Sequence, residues 1–216
     1  MSDRLAVLGA AARDHHLAIF GVAPIRPEDG LQTQGALVLL GPLEPGFWSH
    51  VTAAPEFGDG APDPLDRWSA RVIGALARDH GATALFPFGD PVRPFVTWAM
   101  RSGRAWQSPV TLLVHDQAGL MVSYRGALAV PDLVAPAPDV ERPCDTCEGR
   151  PCLDACPPRA LTGEGYDLDR CHGFLGTAAG AACMSGGCLV RRACPVSARY
   201  ARLPEQSAWH MRRFHP

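Results

Sequence analysis

Lysine and asparagine are missing from this sequence altogether, and each of its 20 basic residues is Arg. The bias reads as GC-rich coding rather than as chemistry, because the arginines meet 22 carboxylates and leave a net charge of −2. A chain this close to neutral is neither a basic nucleic-acid coat protein nor a polyacidic tail protein. Long apolar runs are missing too. The longest uncharged stretch, 171–190, is rich in Gly and Ala and holds three cysteines. It reads as a metal-site loop rather than a transmembrane helix. The start, Met1-Ser2-Asp3-Arg4-Leu5, has no net positive charge, and the apolar run after it ends at Arg13-Asp14-His15-His16. That pattern predicts an amphipathic helix rather than a secretion leader, and with it a cytoplasmic protein. The most informative absence is cysteine, of which the first 143 residues contain none.

What is present supports a packed protein. Of 216 residues, 47% are hydrophobic and 19% charged, enough apolar surface for a core and too little charge for disorder. The 22 glycines and 21 prolines argue against a helix bundle and for a loop-rich fold. Residues 1–18 read as a helix, then Leu17–Pro24 and Ala36–Leu40 as strands, and 43–62 as irregular. Asp63 and Pro64 suit the cap and first position of a helix carrying Leu65, Trp68, Val72, Ile73 and Leu76 on one face, closed by Gly81. Ala82–Phe88 reads as a strand and Phe95–Arg101 as a short helix. Val110–His115 and Leu120–Ala129 read as a strand pair joined by a turn at Asp116–Gly119. This alternation predicts an α/β domain over 1–130 within an α+β protein. Pro131, Pro136, Pro138 and Pro143 mark 131–143 as an extended linker. A cysteine domain over 144–197 follows, then a helical tail over 198–216.

All eight cysteines fall between Cys144 and Cys194, in two runs that each end in Cys-Pro. The first reads C-x2-C-x4-C-x3-C-P and the second C-x11-C-x4-C-x5-C-P. A [4Fe–4S] cube needs four thiolates converging from different directions, and in two-cluster ferredoxins the cysteine before Pro serves the other cluster. That crossed rule assigns Cys144, Cys147, Cys152 and Cys194 to a first cluster. Cys156, Cys171, Cys183 and Cys188 form the second, with no cysteine left over. Two zinc sites are the competing reading, although zinc fingers usually carry two C-x2-C pairs and this chain has one. Four disulfides would need an oxidising compartment. From residue 173 onward six arginines face Glu205 alone. Two oxidised clusters carry about −4 with their thiolates, so charge balance accounts for much of that excess. A redox partner protein or bound cofactor is the expected partner, no membrane is involved, and RNA such as tRNA is the lesser expectation.

The cysteine arrangement resembles the epoxyqueuosine reductases, cobalamin-dependent iron–sulfur enzymes of tRNA modification. The resemblance rests on Pro143-Cys144-Asp145-Thr146-Cys147, Cys152-Leu153-Asp154-Ala155-Cys156-Pro157, Tyr166-Asp167-Leu168-Asp169-Arg170-Cys171, Gly187-Cys188 and Ala193-Cys194-Pro195. Upstream, Leu112-Leu113-Val114-His115, Gly119 and Tyr124-Arg125-Gly126 resemble the strand pair before that family's ferredoxin domain. It implies a nitroreductase-like N-terminal domain, shared with reductive dehalogenases, followed by a bacterial ferredoxin-like two-cluster domain. It also implies single-electron delivery to the cobalt of a bound cobalamin. The family's strand-end motif with a proton-donating Asp is matched here by Phe86-Pro87-Phe88-Gly89-Asp90-Pro91, so Asp90 is the displaced candidate for the catalytic acid. Gly-Asp-Pro is also common turn chemistry, and a turn is the competing reading for Asp90. The chain lacks the family's C-terminal helical repeats. The expected role is therefore electron transfer, or reduction of a different substrate. The alternatives are a non-enzymatic cobalamin-handling protein and a zinc-stabilised binding module. His115, Trp98 and Trp106 are expected to be structural, and His172 to lie beside a cluster rather than ligate it.

Overall fold

Strand-forming apolar runs in the first third of the chain pair with one another, and the helices cover them. The computed structural model describes residues 3–216 and divides them into two compact units. The first unit runs to Ala105 and resumes over 123–140, and the second holds 106–122 and 141–216.

In the first unit, α1 (Asp3–Arg13) leads into β1 (Leu17–Pro24). The predicted helix over 1–18 stops early because His16 takes a positive φ of 52° and turns the chain into the strand. β2 (Gly35–Pro42) is the central strand, buried from Ala36 to Pro42. An unbroken apolar sequence, Ala-Leu-Val-Leu-Leu, suits a strand covered on both faces. Residues 43–62, read as irregular, hold two short helices, α2 (Phe47–Thr52) and α3 (Pro55–Gly58). The long helix α4 (Pro64–Asp79) buries Leu65, Trp68, Val72, Ile73 and Leu76 as their spacing requires. Asp63 precedes it in a left-handed conformation and makes no side-chain cap, so Pro64 alone carries the start signal. β3 (Thr83–Leu85) is shorter than the predicted 82–88 strand, and α5 (Phe95–Arg101) matches its predicted bounds.

The sheet of this unit has the order β1-β2-β6-β3, where β6 is Gly126–Pro131. All three pairings are antiparallel. The helix–strand alternation therefore does not build the crossover units of a parallel sheet, and the fold is mixed α+β. α1 and α5 pack against β1, and α4 against β3 and β6.

The predicted strand pair at Val110–His115 and Leu120–Ala129 does not form. Instead β5 (Leu113–His115) pairs with β4 (Ala105–Gln107), and the backbone enters a strand again only at Gly126. The turn between them exists, closed by reciprocal His115–Gly119 backbone hydrogen bonds of 3.1 and 2.9 Å. Its apolar residues explain why 106–122 belongs to the second unit. Val110, Val114 and Leu120 are buried in one core with Cys152, Leu161, Val190 and Cys194. The rest of that unit is a hairpin, β7 (Leu161–Thr162) with β8 (Gly165–Tyr166), and five helices. These are α6 (Leu168–Leu175), α7 (Ala181–Gly186), α8 (Leu189–Ala193), α9 (Pro195–Arg199) and α10 (Pro204–Phe214). The expected tail is thus α10, packed against α7. Among the described residues no helix is long and apolar enough to cross a membrane.

Candidate metal centre

Four of the cysteines, Cys152, Cys171, Cys188 and Cys194, sit where a local signal breaks or starts a helix. Pro151 opens a single 3-10 turn that carries Cys152. Asp167 caps α6 by accepting the Arg170 N–H at 2.9 Å, which sets Cys171 in the first turns. Cys183 lies in α7, and Gly187, at φ 89°, reverses the chain so that Cys188 precedes α8. Pro195 cannot continue a helix, and it forces Cys194 into extended backbone at φ −67°, ψ 123°. That bend separates α8 from α9 and turns the Cys194 sulfur inward, where the residue is 9% exposed.

Cys144, Cys147, Cys152 and Cys194 line a single cavity of about 570 Å³. Within it the Cys152 thiol feels the negative charge of Cys144, Cys194 and Cys147, and Cys144 that of Cys194 and Cys147. Burial first, and these neighbours second, push the Cys152 thiol above its ordinary value. Burial does the same to Cys144, partly offset by Arg142. The remaining four make a second group. Cys183 feels Cys188, Cys171 and Cys156, and Cys171 feels Cys188 and Cys156. Burial again raises both thiols, against a backbone hydrogen bond from Leu189 at Cys183 and the Tyr166 hydroxyl at Cys171. All eight cysteines are free thiols.

Polar groups lie close to both sets of thiols. The Ser108 hydroxyl lines the first cavity, buried and without a hydrogen-bond partner. Gly119, at φ 56°, lies so close that a Cβ there would meet Cys194 Sγ at 3.0 Å and Ser197 N at 2.5 Å. At the second group Ala160 N–H donates to Cys156 Sγ at 3.2 Å, and the Tyr166 hydroxyl to Cys171 Sγ at 3.2 Å. Burial pulls the Arg191 guanidinium below its ordinary value, and the Cys188 thiolate acts against that shift. Among the described residues no three His, Cys, Asp or Glu side chains converge on a point that a single metal ion would occupy.

Of the other sequence candidates, His115 is fully buried and structural: its Nδ1 accepts the N–H groups of Gln117 and Ala118 at 3.1 and 3.3 Å. His172 lies beside Cys171 and pairs with His215, Nδ1 to Nδ1, at 2.8 Å. Trp98 is buried in the first unit, and Trp106 packs against the core around Cys152 and Cys194. Asp90 lies exposed in a bend of the first unit. Sequence reasoning did not single out Ser108. In the sequence Gly119 stands out only as a turn residue, Tyr166 only as part of the stretch before Cys171, and Arg191 only as one of several arginines. Compared with family models, with curated proteins and with solved structures, the chain matches none.

Proposed function

We propose that this chain is an iron–sulfur electron-transfer protein holding two [4Fe–4S] clusters, one on Cys144, Cys147, Cys152 and Cys194 and one on Cys156, Cys171, Cys183 and Cys188. The observation that carries the reading is the partition itself. Spacing and the two Cys-Pro steps sort the cysteines into crossed sets of four, the first set lines one cavity, and in the second Cys171 and Cys183 both feel Cys156 and Cys188. The donor chemistry fits a cube better than an ion. Zinc draws four ligands to about 2.3 Å of one point, whereas a cube binds each thiolate to a different iron and spreads the sulfurs apart. When bound, such a cluster accepts and releases one electron at a time. The chain's part is to supply buried thiolates, exclude water with Val114, Leu120 and Val190, and place donors near sulfur.

The finer fold reading belongs to the same proposal: a nitroreductase-like first unit and a bacterial ferredoxin-like second unit. The electron's destination, a cobalamin or similar cofactor held by the first unit, rests on the sequence resemblance alone.

The test is anaerobic reconstitution of the full chain with iron and sulfide. The reading expects about eight iron and eight labile sulfide per chain, with absorbance near roughly 400 nm that dithionite bleaches. A colourless protein that takes up zinc and no sulfide would refute it. Adding cob(II)alamin to the reconstituted protein tests the destination by EPR. A shift of the cobalt signal to a base-off form supports a corrinoid, and an unchanged free-cobalamin signal beside reduced-cluster signals sends the electron elsewhere.

A further inference from the structure

The two cysteine groups have different polar surroundings. Adding an electron to a cluster adds negative charge to a group that is already negative. Hydrogen bonds to its sulfurs and positive charge nearby therefore raise its potential. At the second group the β7–β8 hairpin pairs Leu161 with Tyr166 and so fixes the tyrosine beside α6. Its hydroxyl donates to Cys171 Sγ at 3.2 Å. Arg191, three residues along the chain from Cys188, adds a half-buried cation: its guanidinium donates to the Leu120 carbonyl and feels the Cys188 thiolate. Ala160 N–H supplies a further donor, to Cys156 Sγ. The first group has a different lining. Asp116, Glu141 and Glu148 share its cavity with Arg150 and Arg199, and Asp145 acts on Cys144 against Arg142. Carboxylates there offset the arginines.

We infer that Tyr166 and Arg191 make the Cys156, Cys171, Cys183 and Cys188 site the higher-potential one, where a first electron comes to rest. The inference rests on the two-cluster reading above. A one-electron reductant is oxidised, the second site goes from the 2+ to the 1+ cluster state, and no proton or bond is exchanged. A second electron then enters the first site. Tyr166 and Arg191 act through the sulfurs and are positioning residues.

The experiment is a redox titration of the reconstituted full chain, with dithionite as reductant and EPR as readout. Iron and sulfide are counted first. Two one-electron steps are expected. Tyr166→Phe keeps the ring that stacks on Phe214, 6.4 Å between centroids, and removes only the hydroxyl. It should move the upper step to lower potential and leave the lower step in place. Arg191→Gln should move the upper step the same way, and Cys194→Ala should retain the upper step and lose the lower. Should Arg191→Gln fail to take up its second cluster, Tyr166→Phe decides alone. An upper step that Tyr166→Phe leaves unmoved, or a Cys194→Ala protein that keeps only the lower step, would overturn the inference while the clusters stand. A chain that binds no iron and sulfide would overturn both it and the reading beneath it.

Discussion

Gly119 shows how little room one residue leaves beside the first cysteine group. Its φ of 56° is a left-handed conformation that favours glycine, and an added Cβ would press on the Ser197 backbone and on Cys194 Sγ. A backbone nitrogen cannot rotate away, so Cys194 or the turn itself must shift. Gly119→Ala is therefore expected to lose the first cluster and keep the second, giving about four iron per reconstituted chain in place of about eight. Full iron content in that variant would show that the turn tolerates the change. The signal for this glycine was present in the sequence as a turn residue, but not its closeness to a cysteine 75 positions away. Ser108 was equally silent, because an ordinary loop serine acquires meaning only when folding buries it without a partner.

At the level of elements, one buried acid ties the first unit together. Asp29 ends a 3-10 turn, Pro27–Asp29, between β1 and β2, and Gly30 follows at φ 66°. It is 6% exposed. Its carboxylate accepts the Arg26 N–H at 2.8 Å, Trp98 Nε1–H at 2.8 Å and the Arg101 guanidinium at 2.5 Å, the last two from α5. Burial works to raise its pKa, but these donors together outweigh burial and hold the carboxyl below the ordinary range. The folded value is thus lower than the unfolded one. The carboxylate contributes its full stability above the ordinary carboxylate range and loses it as pH falls through the folded value. Asp29→Ala leaves the Arg101 guanidinium buried without its carboxylate, and an unfolding free energy lower by about 3 kcal/mol is expected in urea titration at neutral pH. The gap between variant and parent should narrow in acid. A gap that is absent at neutral pH, or that widens in acid, would show that the pair is not holding α5. α1, α4, α5, β1 and β2 were legible because local rules decide them: an apolar stripe on α4, an apolar run in β2, Pro64 at a helix start. The pairing of β6 with β2 and β3 was not, since any apolar strand of the right length satisfies the same pattern. Nothing in the sequence marks Asp29, whose partners lie 69 and 72 residues away.

For the molecule as a whole, the division into units follows burial rather than composition. The prolines of 131–143 looked like the boundary, and most of that stretch does lack regular structure. Yet 106–122 joins the cysteine-bearing chain, because Val110, Val114 and Leu120 bury against Cys152 and Cys194. An alternating apolar segment carries no mark of which core it will enter. The proposed crossed cysteine assignment rests on a different kind of signal, since each Cys-Pro step is a local instruction that turns its sulfur. The most direct test of that assignment is iron and sulfide content in two reconstituted variants, Cys194→Ala and Cys183→Ala, beside the parent. The account predicts that each variant keeps about four of the parent's roughly eight iron atoms, and that the two retain different clusters, distinguishable by EPR after reduction. Loss of all iron from either variant, or of none from both, would contradict it.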